Sequence, residues 1–384
     1  MFNKYLKGIL VAAGLFFTVN PTQLIPPTAK AASISQSVIN NPIPDLSEWQ
    51  GALTDSQVKK LKATVPFVIL RVQYGSSYRD KYFDQNAALC RKYGLKYGVY
   101  SYSLYTNAAT ARTEAKNLYN RGVGASFYVN DYEQQTVTSG STETATNAWY
   151  QQMRQLAPNR RILFYSYLSF AQTYAPTSML KYDGYWLANY TSVKPTGTYA
   201  LWQFTDSWYS SALNQKIDAS QKNLKTNSWF LSSRAIKYDK VVGPQNKSYR
   251  IWRNLDFTAS NGSTKLDSNQ AYEARNYYEH YDGAKYYSLY KNNRFVGYVN
   301  VNAMQTLKAT KTDLTVKINK ANQSIWGNLF FTKVRAKTVG NDDKTYTVKN
   351  LYHHPNGKTY YSLYHDGKWQ GYINKDAVTI EGGA

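Results

Sequence analysis

Residues 125–133 have the sequence Ala125-Ser126-Phe127-Tyr128-Val129-Asn130-Asp131-Tyr132-Glu133. The apolar run predicts a buried strand, and two carboxylates stand at its end. Because a strand turns successive side chains to opposite faces, we expect Asp131 and Glu133 to point the same way, with Cα atoms roughly 6–7 Å apart. Two carboxylates on one face resist joint ionisation, so one tends to hold a proton near neutral pH. Such a pair suits glycosidic bond cleavage, although Asp-x-Glu is also common by chance.

Strand and helix patterns alternate around this segment, between about residues 40 and 220. The predicted strands share short apolar runs and span 66–72, 97–102, 161–165, 185–188 and 200–204. Helical patterns lie between them at 84–93, 108–119 and 142–156. This alternation predicts an α/β fold of parallel β/α units that closes into a small TIM-like barrel. In such barrels the chemistry lies at the C-terminal ends of the strands, which is where Asp131 and Glu133 fall.

The last third of the chain contains an internal repeat. Residues 251–255, 286–290 and 295–298 recur at 325–329, 360–364 and 369–372, with one common offset. A shared register of this kind indicates two tandem modules, which we place at 234–308 and 309–384. Their Tyr, Thr, Val and turn residues, including the hairpin pair Asp366-Gly367, predict two small all-β, SH3-like modules.

The N-terminus has the pattern of a secretory signal peptide at residues 1–31. Lys4 and Lys7 precede an apolar stretch at 8–19, and Ala29-Lys30-Ala31 matches a cleavage site. The apolar stretch is short for a membrane span, which favours cleavage over an uncleaved anchor. We therefore expect a secreted, cell-wall-associated protein of Gram-positive type.

The chain is strongly basic, with a formal net charge of +22. From residue 234 to the end there are 23 basic and 12 acidic side chains. This excess predicts attraction to polyanions. In an exported protein the expected partner is the teichoic or lipoteichoic acid of a cell wall, not nucleic acid, although solubility alone explains the charge as well. The single cysteine, Cys90, excludes an intramolecular disulfide, and we expect it to be packed in a helix of a monomeric protein.

Histidine is absent from the predicted barrel. All four histidines, His280, His353, His354 and His365, lie in the repeat region. This excludes Ser-His-Asp and Cys-His nucleophiles and His-ligated zinc from the barrel, so catalysis there must rest on carboxylates. We expect His353-His354 to be a solvated turn pair, and we predict no metal and no cofactor.

Two further carboxylates stand near predicted strand ends. Asp45 opens the segment 45–51, Asp-Leu-Ser-Glu-Trp-Gln-Gly, and Asp218 follows Ile217. Taken alone, each fits a cap or turn residue better than a catalytic one.

Taken in order, these motifs resemble glycoside hydrolase family 25, the Chalaropsis-type muramidases (lysozymes). Besides 45–51 and 131–133, the resemblance rests on Val-Ile-Leu-Arg-Val-Gln-Tyr-Gly at 68–75, the segment 94–102, Tyr-Trp-Leu-Ala-Asn-Tyr at 185–190, Leu-Trp-Gln-Phe at 201–204 and Ile-Asp at 217–218. It covers about 40–222. It implies a β/α barrel and cleavage of the β-1,4 bond between N-acetylmuramic acid and N-acetylglucosamine in peptidoglycan.

The resemblance also implies roles for the carboxylates. Glu133 matches the general acid, and Asp131 matches the companion that assists the intermediate. Asp45 and Asp218 match the other acidic positions of the active-site floor. The family implies retention of configuration with the substrate's acetamido group as nucleophile, an exception to the two-carboxylate double displacement.

Four aromatic residues at predicted strand ends are candidates for lining the sugar site: Tyr100, Tyr102, Tyr165 and Trp186. Aromatic faces suit the apolar faces of pyranose rings, but core packing explains each of them nearly as well.

The sequence departs from the family in two places. Asn130 stands where an aliphatic residue is more common, and Ser101 and its neighbours replace a common Tyr-His pair. We expect both to affect substrate contacts more than catalysis. The repeats are similar, more loosely, to SH3-like or GW-type wall-binding modules through Gly297-Tyr298 and Gly371-Tyr372, although these aromatic residues also fit a core.

Three functions remain open from the sequence. The first is a secreted peptidoglycan hydrolase that the repeats target to the wall. The second is a catalytically inactive wall-binding or adhesion protein. The third is a chitinase-like enzyme, which the absence of a D-x-x-D-x-D-x-E series disfavours. An autolysin, a bacteriolytic weapon and a phage-derived lysin also remain open, although the signal peptide disfavours a holin-dependent phage enzyme.

Overall fold

The structure is a computed structural model that describes residues 42–245, 249–261, 269–340 and 343–381. The predicted signal peptide at 1–31 and the first two residues of the predicted barrel lie outside these ranges. Within them, no helix has the length and apolar character needed to cross a membrane.

The first part of the chain forms a closed barrel of eight strands. Its strands, together with the short edge strand β3, are β1 (Ile43–Leu46), β2 (Val68–Tyr74), β3 (Tyr78–Arg79), β4 (Tyr97–Tyr102), β5 (Phe127–Asp131), β6 (Arg161–Tyr167), β7 (Gly184–Ala188), β8 (Leu201–Ser210) and β9 (Gln215–Lys222). The order β1-β9-β8-β7-β6-β5-β4-β2 is closed by pairing of β1 with β2. The predicted α/β fold is confirmed as a closed barrel of eight strands.

One strand makes this barrel different from a regular one. The strand β9 pairs antiparallel with both β8 and β1, whereas the pairs from β1 to β2 and onward through β8 are parallel. The alternating sequence pattern predicted five of the parallel strands and the region of β5. It missed β1 and β9, which are short or largely polar.

Helices cover the outside of the barrel. They are α1 (Asp55–Thr64), α2 (Phe83–Tyr93), α3 (Ala108–Arg121), α4 (Thr142–Leu156) and α5 (Leu168–Tyr174). Thr54, Asn107 and Ser141 cap α1, α3 and α4 by accepting hydrogen bonds from first-turn amides, which satisfies donors that a helix leaves unpaired. Cys90 lies buried in α2, as expected, and burial raises the pKa of its thiol to about 12.

The alternation along each strand divides the apolar residues into two layers. Trp202 and Phe204 of β8 face the helices, whereas Leu201 faces the barrel interior. The interior cluster includes Ile43, Ile69, Val129, Leu163, Tyr165, Trp186 and Leu201. The residues that face inward at the C-terminal ends of the strands are largely polar, so this end carries the candidate site.

A short helix closes the opposite end of the barrel. The helix α6 (Asn227–Leu231) places Phe230 against Phe67 and Phe127, with ring centroids 5.3 and 5.6 Å apart. All three rings are fully buried. Because Phe67 and Phe127 stand at the N-terminal ends of β2 and β5, this apolar plug leaves only the C-terminal end open.

The rest of the chain is all-β and forms two separate sheets. The first contains β10 (Ile236–Pro244), β11 (Tyr272–Glu279), β12 (Lys285–Lys291), β13 (Arg294–Asn300) and β14 (Met304–Thr306). The second contains β15 (Ala309–Ile318), β16 (Ser324–Trp326), β17 (Val334–Lys337), β18 (Thr345–His353), β19 (Thr359–His365), β20 (Lys368–Asn374) and β21 (Val378–Ile380). We call the units around these sheets repeat 1 and repeat 2.

The two repeats share most of their strands, and the sheet of repeat 2 also contains β16 and β17. The strands β12, β13 and β14 return as β19, β20 and β21 at the offset found in the sequence. Gly297 and Gly371 adopt φ of +149° and +142°, and an added Cβ would lie 2.4 and 2.7 Å from Ile251 and Ile325. The Gly-Tyr motif is therefore a packing requirement of each repeat. The hairpin predicted at Asp366-Gly367 is also confirmed, since both residues have positive φ between β19 and β20.

The expectation of a solvated His353-His354 pair is wrong for His354. Its ring is buried, contacts Phe331 and Tyr360, and pairs with the Leu329 carbonyl through Nε2 at 3.0 Å. Burial lowers the pKa of this imidazole. His280 makes the equivalent contact with Leu255, at 2.8 Å, so this histidine anchors a turn in each repeat.

Candidate active site

The strand β5 ends at the two carboxylates that the sequence singled out. Asp131 is 4% exposed, and Glu133 is half-buried beside it. Tyr132, between them, faces the helix layer and stacks on Tyr105 with centroids 4.5 Å apart. The two carboxyl groups share a hydrogen bond, so they do point the same way.

The surroundings of Asp131 favour its protonated form. Burial raises the pKa of this carboxyl well above its ordinary value, and the negative charges of Glu133 and Asp45 raise it further. The guanidinium of Arg71 opposes these effects only in part. The raised pKa of Asp131 favours retention of a proton by the Asp131–Glu133 pair.

One oxygen of this pair remains available. Among the described residues, Asp131 Oδ1 is fully buried and accepts no hydrogen bond. A buried acceptor without a donor carries a desolvation cost of about 1–3 kcal/mol, so it favours any ligand that brings an N–H or O–H to it.

Asp45 and Asp218 meet on neighbouring strands. They are direct partners in the antiparallel pairing of β1 with β9, so their side chains share the interior face. Asp45 is 5% exposed, and its Oδ2 accepts a hydrogen bond of 3.0 Å from Gln203. The interpretation of each residue, taken alone, as a cap or turn is therefore wrong, because both lie within barrel strands.

Gln203 links this acidic pair to two tyrosines. Its Oε1 accepts hydrogen bonds from the hydroxyls of Tyr165, at 2.6 Å, and Tyr190, at 2.8 Å. Because two donors fix the amide oxygen, the amide nitrogen is turned towards Asp45. Gln203 thus holds β1, β6 and the end of β7 in one polar network.

An ion-pair cluster borders the same end of the barrel. Arg71 of β2 contacts Asp80 through Nε and Glu48 through a terminal nitrogen, both at 2.9 Å. The Tyr78 hydroxyl donates to Glu48 at 2.6 Å. Although partial burial raises the pKa of Glu48, these donors lower it on balance, so this carboxylate stays ionised and is not a second acid.

The predicted tyrosines surround the carboxylates at different depths. Tyr100 is half-buried, and burial together with Asp45, Asp131 and Asp218 raises the pKa of its phenol. Tyr102 is also half-buried, stacks on Tyr74 with centroids 4.7 Å apart, and lies close to Glu133. Both rings therefore lie beside the carboxylates, and a direct sugar contact for them stays a prediction.

Tyr165 and Trp186 lie deeper. Tyr165 is 5% exposed and Trp186 is 2% exposed. The Trp186 indole donates to Ser220 at 2.9 Å and meets the rings of Tyr100 and Tyr165 edge to face. These two residues support the floor, and a direct sugar contact for them stays a prediction.

The two departures from the family pattern, Asn130 and Ser101, lie behind the site on the helix side. Asn130 is fully buried and exchanges hydrogen bonds of 2.8 Å with Ser103 and Tyr182 on the helix side. Ser101 is buried as well and accepts a bond from Gln73 at 3.0 Å. Asn130 and Ser101 are the sequence neighbours of Asp131 and Tyr100, which face the barrel interior. Because successive side chains of a strand face opposite sides, Asn130 and Ser101 face outward.

Sequence reasoning missed a group of exposed aromatic residues around the open end. They follow or end different strands and are Trp49, Tyr74, Tyr78, Tyr167 and Tyr190. Trp49 is the most exposed of them, at 64%. Their positions after strand ends could have indicated them. Gln203 was also missed as a site residue, because the sequence indicated it only as part of the motif at 201–204.

The residue types of this site favour a reaction run by carboxylates. Among the described residues, no cluster of three or more His, Cys, Asp or Glu side chains could hold a metal ion. The arrangement provides one shared proton, one buried acceptor and an aromatic rim, which together suit acid-assisted cleavage of a glycosidic bond.

Comparisons with known proteins agree with this geometry. Residues 44–213 match the family model of Glycosyl hydrolases family 25. The match ends before β9, so it does not include Asp218. A search of the curated proteins gives no match.

Several solved structures are similar to the barrel part of the chain. The catalytic domain of endolysin ply40 from bacteriophage P40 of Listeria monocytogenes is 24% identical, and the match covers 49% of this chain and 95% of that chain with a TM-score of 0.44. A lysozyme from Streptomyces coelicolor is 21% identical over 48% of this chain and 93% of that chain, with a TM-score of 0.42. The modular autolysin LytC from Streptococcus pneumoniae is 26% identical over 47% of this chain and 46% of that chain, with a TM-score of 0.41. By its match to the family model, the chain carries a family 25 glycosyl hydrolase domain and is a glycoside hydrolase.

Proposed function

We propose that this protein is a secreted peptidoglycan hydrolase, a muramidase that cleaves the β-1,4 bond between N-acetylmuramic acid and N-acetylglucosamine. The observation that carries the proposal is the Asp131–Glu133 pair, which shares a proton at the open end of the barrel while Asp131 Oδ1 lacks a donor. An N-acetylated sugar supplies the missing donor through its acetamido N–H.

Substrate binding would then move the shared proton. A hydrogen bond from the acetamido N–H to Asp131 stabilises the charged form of Asp131 and lowers its pKa. The proton passes to Glu133, which faces the more open part of the site. Binding thus converts the resting pair into an ionised Asp131 and a protonated Glu133.

In the first step, the Glu133 carboxyl donates its proton to the glycosidic oxygen as the C1–O bond breaks. The acetamido carbonyl oxygen of the same sugar attacks C1 and forms an oxazoline-like ring. The ionised Asp131 holds the acetamido N–H and stabilises the positive charge that develops on this group. The N-acetylglucosamine portion leaves with the proton from Glu133.

In the second step, the Glu133 carboxylate removes a proton from water, and the water oxygen attacks C1. The C1–oxygen bond to the acetamido group breaks, and the sugar keeps its original configuration after two inversions. Glu133 is protonated again, so the cycle closes.

The remaining residues of the site fit supporting roles. Asp45 and Asp218 add negative charge beneath the developing positive charge, and Gln203 fixes Asp45. Tyr100 and Tyr102, with the exposed aromatic residues of the rim, suit the apolar faces of successive sugar rings.

The proposal extends to location and partners. The predicted signal peptide would export a monomeric protein to a Gram-positive wall, with peptidoglycan as substrate. Repeats 1 and 2 would act as SH3-like wall-binding modules, drawn to teichoic or lipoteichoic acid by their basic charge.

The decisive experiment is the identification of the reducing sugar released from purified walls. We expect new reducing ends of N-acetylmuramic acid, and in 18O-labelled water we expect the label in the retained anomer. New reducing ends of N-acetylglucosamine would contradict the bond assignment. Activity on chitin equal to that on walls would favour the chitinase-like alternative.

A matched pair of variants separates an enzyme from an inactive binding protein. Glu133→Gln keeps the shape of the side chain but removes its proton transfer, so we expect wall clearance to fall by a factor of about 10²–10⁴. Asp84→Asn removes a carboxylate on the exposed side of α2 and should keep full activity. If Glu133→Gln cleared walls as fast as the wild type, another residue would be the acid.

A further inference from the structure

A cleft of about 430 Å³ lies at the base of the barrel, where repeat 1 meets it. We call it the junction cleft. Arg161, Trp229 and Arg234 line it from the barrel side, and Arg253, Tyr278 and Tyr298 line it from repeat 1. The carboxylates of the candidate active site stand at the other end of the strands, so the two sites are separate.

Hydrogen bonds fix the two walls of the cleft relative to each other. The amides of Ser233 and Arg234 donate to the carbonyls of Glu279 and Asn159 at 2.9 and 2.8 Å. The Ser228 amide donates to Asp256 at 3.2 Å. Tyr281 of repeat 1 also packs against the interior cluster of the barrel. Tertiary contacts of the fold therefore hold the two walls of the cleft in place.

The cleft has an excess of positive charge. Three guanidinium groups line it, whereas Asp256 is the only carboxylate among its lining residues within the described ranges. Arg234 lies 3.5 Å from Asp183, which also binds Arg154. With Asp183 and Arg154 included, two carboxylates face four guanidinium groups, and an anionic ligand would restore the balance.

Arg161 is held in place with its hydrogen-bonding capacity largely unused. Its guanidinium lies over the Trp229 ring, 4.7 Å from the centroid, and its Nε donates to the Trp229 carbonyl at 3.3 Å. In the described part of the chain, neither of its terminal nitrogens has a hydrogen-bond partner. Burial lowers the pKa of this guanidinium; Asp183 offsets this in part, whereas the nearby Arg234 and Arg154 lower the pKa further. An oxyanion would relieve that repulsion, and it can bind two N–H groups of one guanidinium at once.

The aromatic part of the cleft recurs in repeat 2. Tyr278 and Tyr298 meet edge to face with centroids 5.4 Å apart, and their counterparts Tyr352 and Tyr372 do so at 5.3 Å. Arg253, however, corresponds to Gly327. The strongly cationic cleft is therefore particular to the junction of the barrel with repeat 1.

We propose that the junction cleft binds an oxyanion carried on a hydroxylated polymer. The guanidinium groups of Arg161, Arg234 and Arg253 contact the anion, and Tyr278 and Tyr298 contact the polymer chain. A phosphodiester chain is the expected source, and a uronic acid chain offers the same chemistry. The choice of polymer rests on the proposed wall-binding function, whereas binding itself requires no hydrolysis. The cleft would hold a wall polymer at the base of the barrel while a glycan strand occupies the open end.

The test uses the full-length protein and soluble polymers that are not substrates. Calorimetric titration at constant ionic strength would compare polyglycerol phosphate with polygalacturonate. Arg253→Gly copies the residue of repeat 2, and Arg161→Gln removes the half-buried cation that lies over Trp229. The control, Arg275→Gln, removes the same charge from repeat 1 at a residue outside the cleft that pairs with Glu273.

We expect Arg253→Gly to weaken polyglycerol phosphate binding at least about tenfold, as the loss of a charge-assisted hydrogen bond predicts. Arg275→Gln should change it less than about twofold. If Arg253→Gly weakened the binding of polygalacturonate and not that of polyglycerol phosphate, the cleft would remain the binding site and its ligand would be a carboxylate polymer. Equal weakening by both variants, or no binding of either polymer, would overturn the proposal. Arg253 is exposed, so its variant should fold even if Arg161→Gln does not. Wall hydrolysis by Arg253→Gly, measured separately, tells failure of the cleft from failure of the proposed activity.

Discussion

The two ends of the barrel interior differ in polarity, although the same strands form both. At the C-terminal end, Asp45, Asp131 and Gln203 are almost fully buried, although each is polar or ionisable. At the N-terminal end, Phe67 and Phe127 meet Phe230 in an apolar plug. The base supplies stability through apolar burial, whereas the rim places buried carboxylates side by side at a cost in stability. The contrast predicts that substitutions at the rim change activity and that substitutions at the base change stability.

The largest expected effect is at the rim. Asp131→Asn removes the group that would stabilise the charged intermediate, and we expect kcat on purified walls to fall at least about 100-fold. Because the folded protein holds Asp131 protonated at a pH where the unfolded chain has released the proton, ionisation of this residue opposes folding as the pH rises. The melting temperature of Asp131→Asn should therefore equal or exceed that of the wild type at pH 8. A variant that is less stable and fully active would contradict the contrast.

The converse change is at the base. Phe230→Ala leaves a cavity between Phe67 and Phe127, and we expect it to lower the free energy of unfolding by about 3–5 kcal/mol. The folded fraction should keep the wild-type kcat, since none of the three rings reaches the carboxylates. Denaturant unfolding and wall clearance on the same preparation would check both parts. Loss of kcat in the folded protein would show that the two ends are coupled.

A buried carboxyl of the helix layer, near the C-terminal end of β4, sharpens the comparison. Glu114 of α3 is 1% exposed, accepts bonds from the Leu104 amide at 3.1 and 3.2 Å, and has a pKa raised by burial to about 7. Its contribution to stability is complete below the unfolded pKa near 4.5 and is lost as the pH rises through about 7.

Glu114→Gln cannot ionise, so its free energy of unfolding should stay nearly constant across this range. The variant should exceed the wild type by an amount that grows to roughly 3 kcal/mol at pH 8, from the conversion of pKa differences to free energy. Unfolding curves from pH 4 to pH 8 would measure it, with unchanged kcat as the control. A parallel pH dependence in variant and wild type would disprove the assignment.

The smallest expected effect concerns the network behind the acids. Gln203→Leu removes the hydrogen bonds that Gln203 makes with Asp45 and with the hydroxyls of Tyr165 and Tyr190, which should cost about 1–3 kcal/mol of stability. Tyr190→Phe removes the bond of this exposed ring to Gln203 while Gln203 keeps its bonds to Tyr165 and Asp45, so it serves as the milder control. We expect kcat to fall with Gln203→Leu because Asp45 is no longer fixed. Equal kcat in both variants and the wild type would make the network purely structural.

How far the sequence predicted this structure depended on the pattern of each element. The helix α4 and the strand β4 have the predicted bounds because their apolar residues follow the helical and strand periods clearly. The strand β9 was missed because its sequence, Gln-Lys-Ile-Asp-Ala-Ser-Gln-Lys, is mostly polar and is a strand only through pairing with β8 and β1. His354 was placed in solvent because nothing local shows that Phe331 and Tyr360 will cover it.

The sequence by itself determined what depends on order and period along the chain. It placed Asp131 and Glu133 at the end of a buried strand, kept histidine out of the barrel, and set the register of the two repeats. Only the tertiary structure decided the features that depend on closure of the barrel and on the packing of repeat 1 against it. Pairing of β1 with β9 brought Asp45 to Asp218, burial raised the pKa of Asp131, and docking of repeat 1 assembled three arginines into one cleft. Charge, burial and missing partners arise between segments far apart in the chain, so no local pattern contains them.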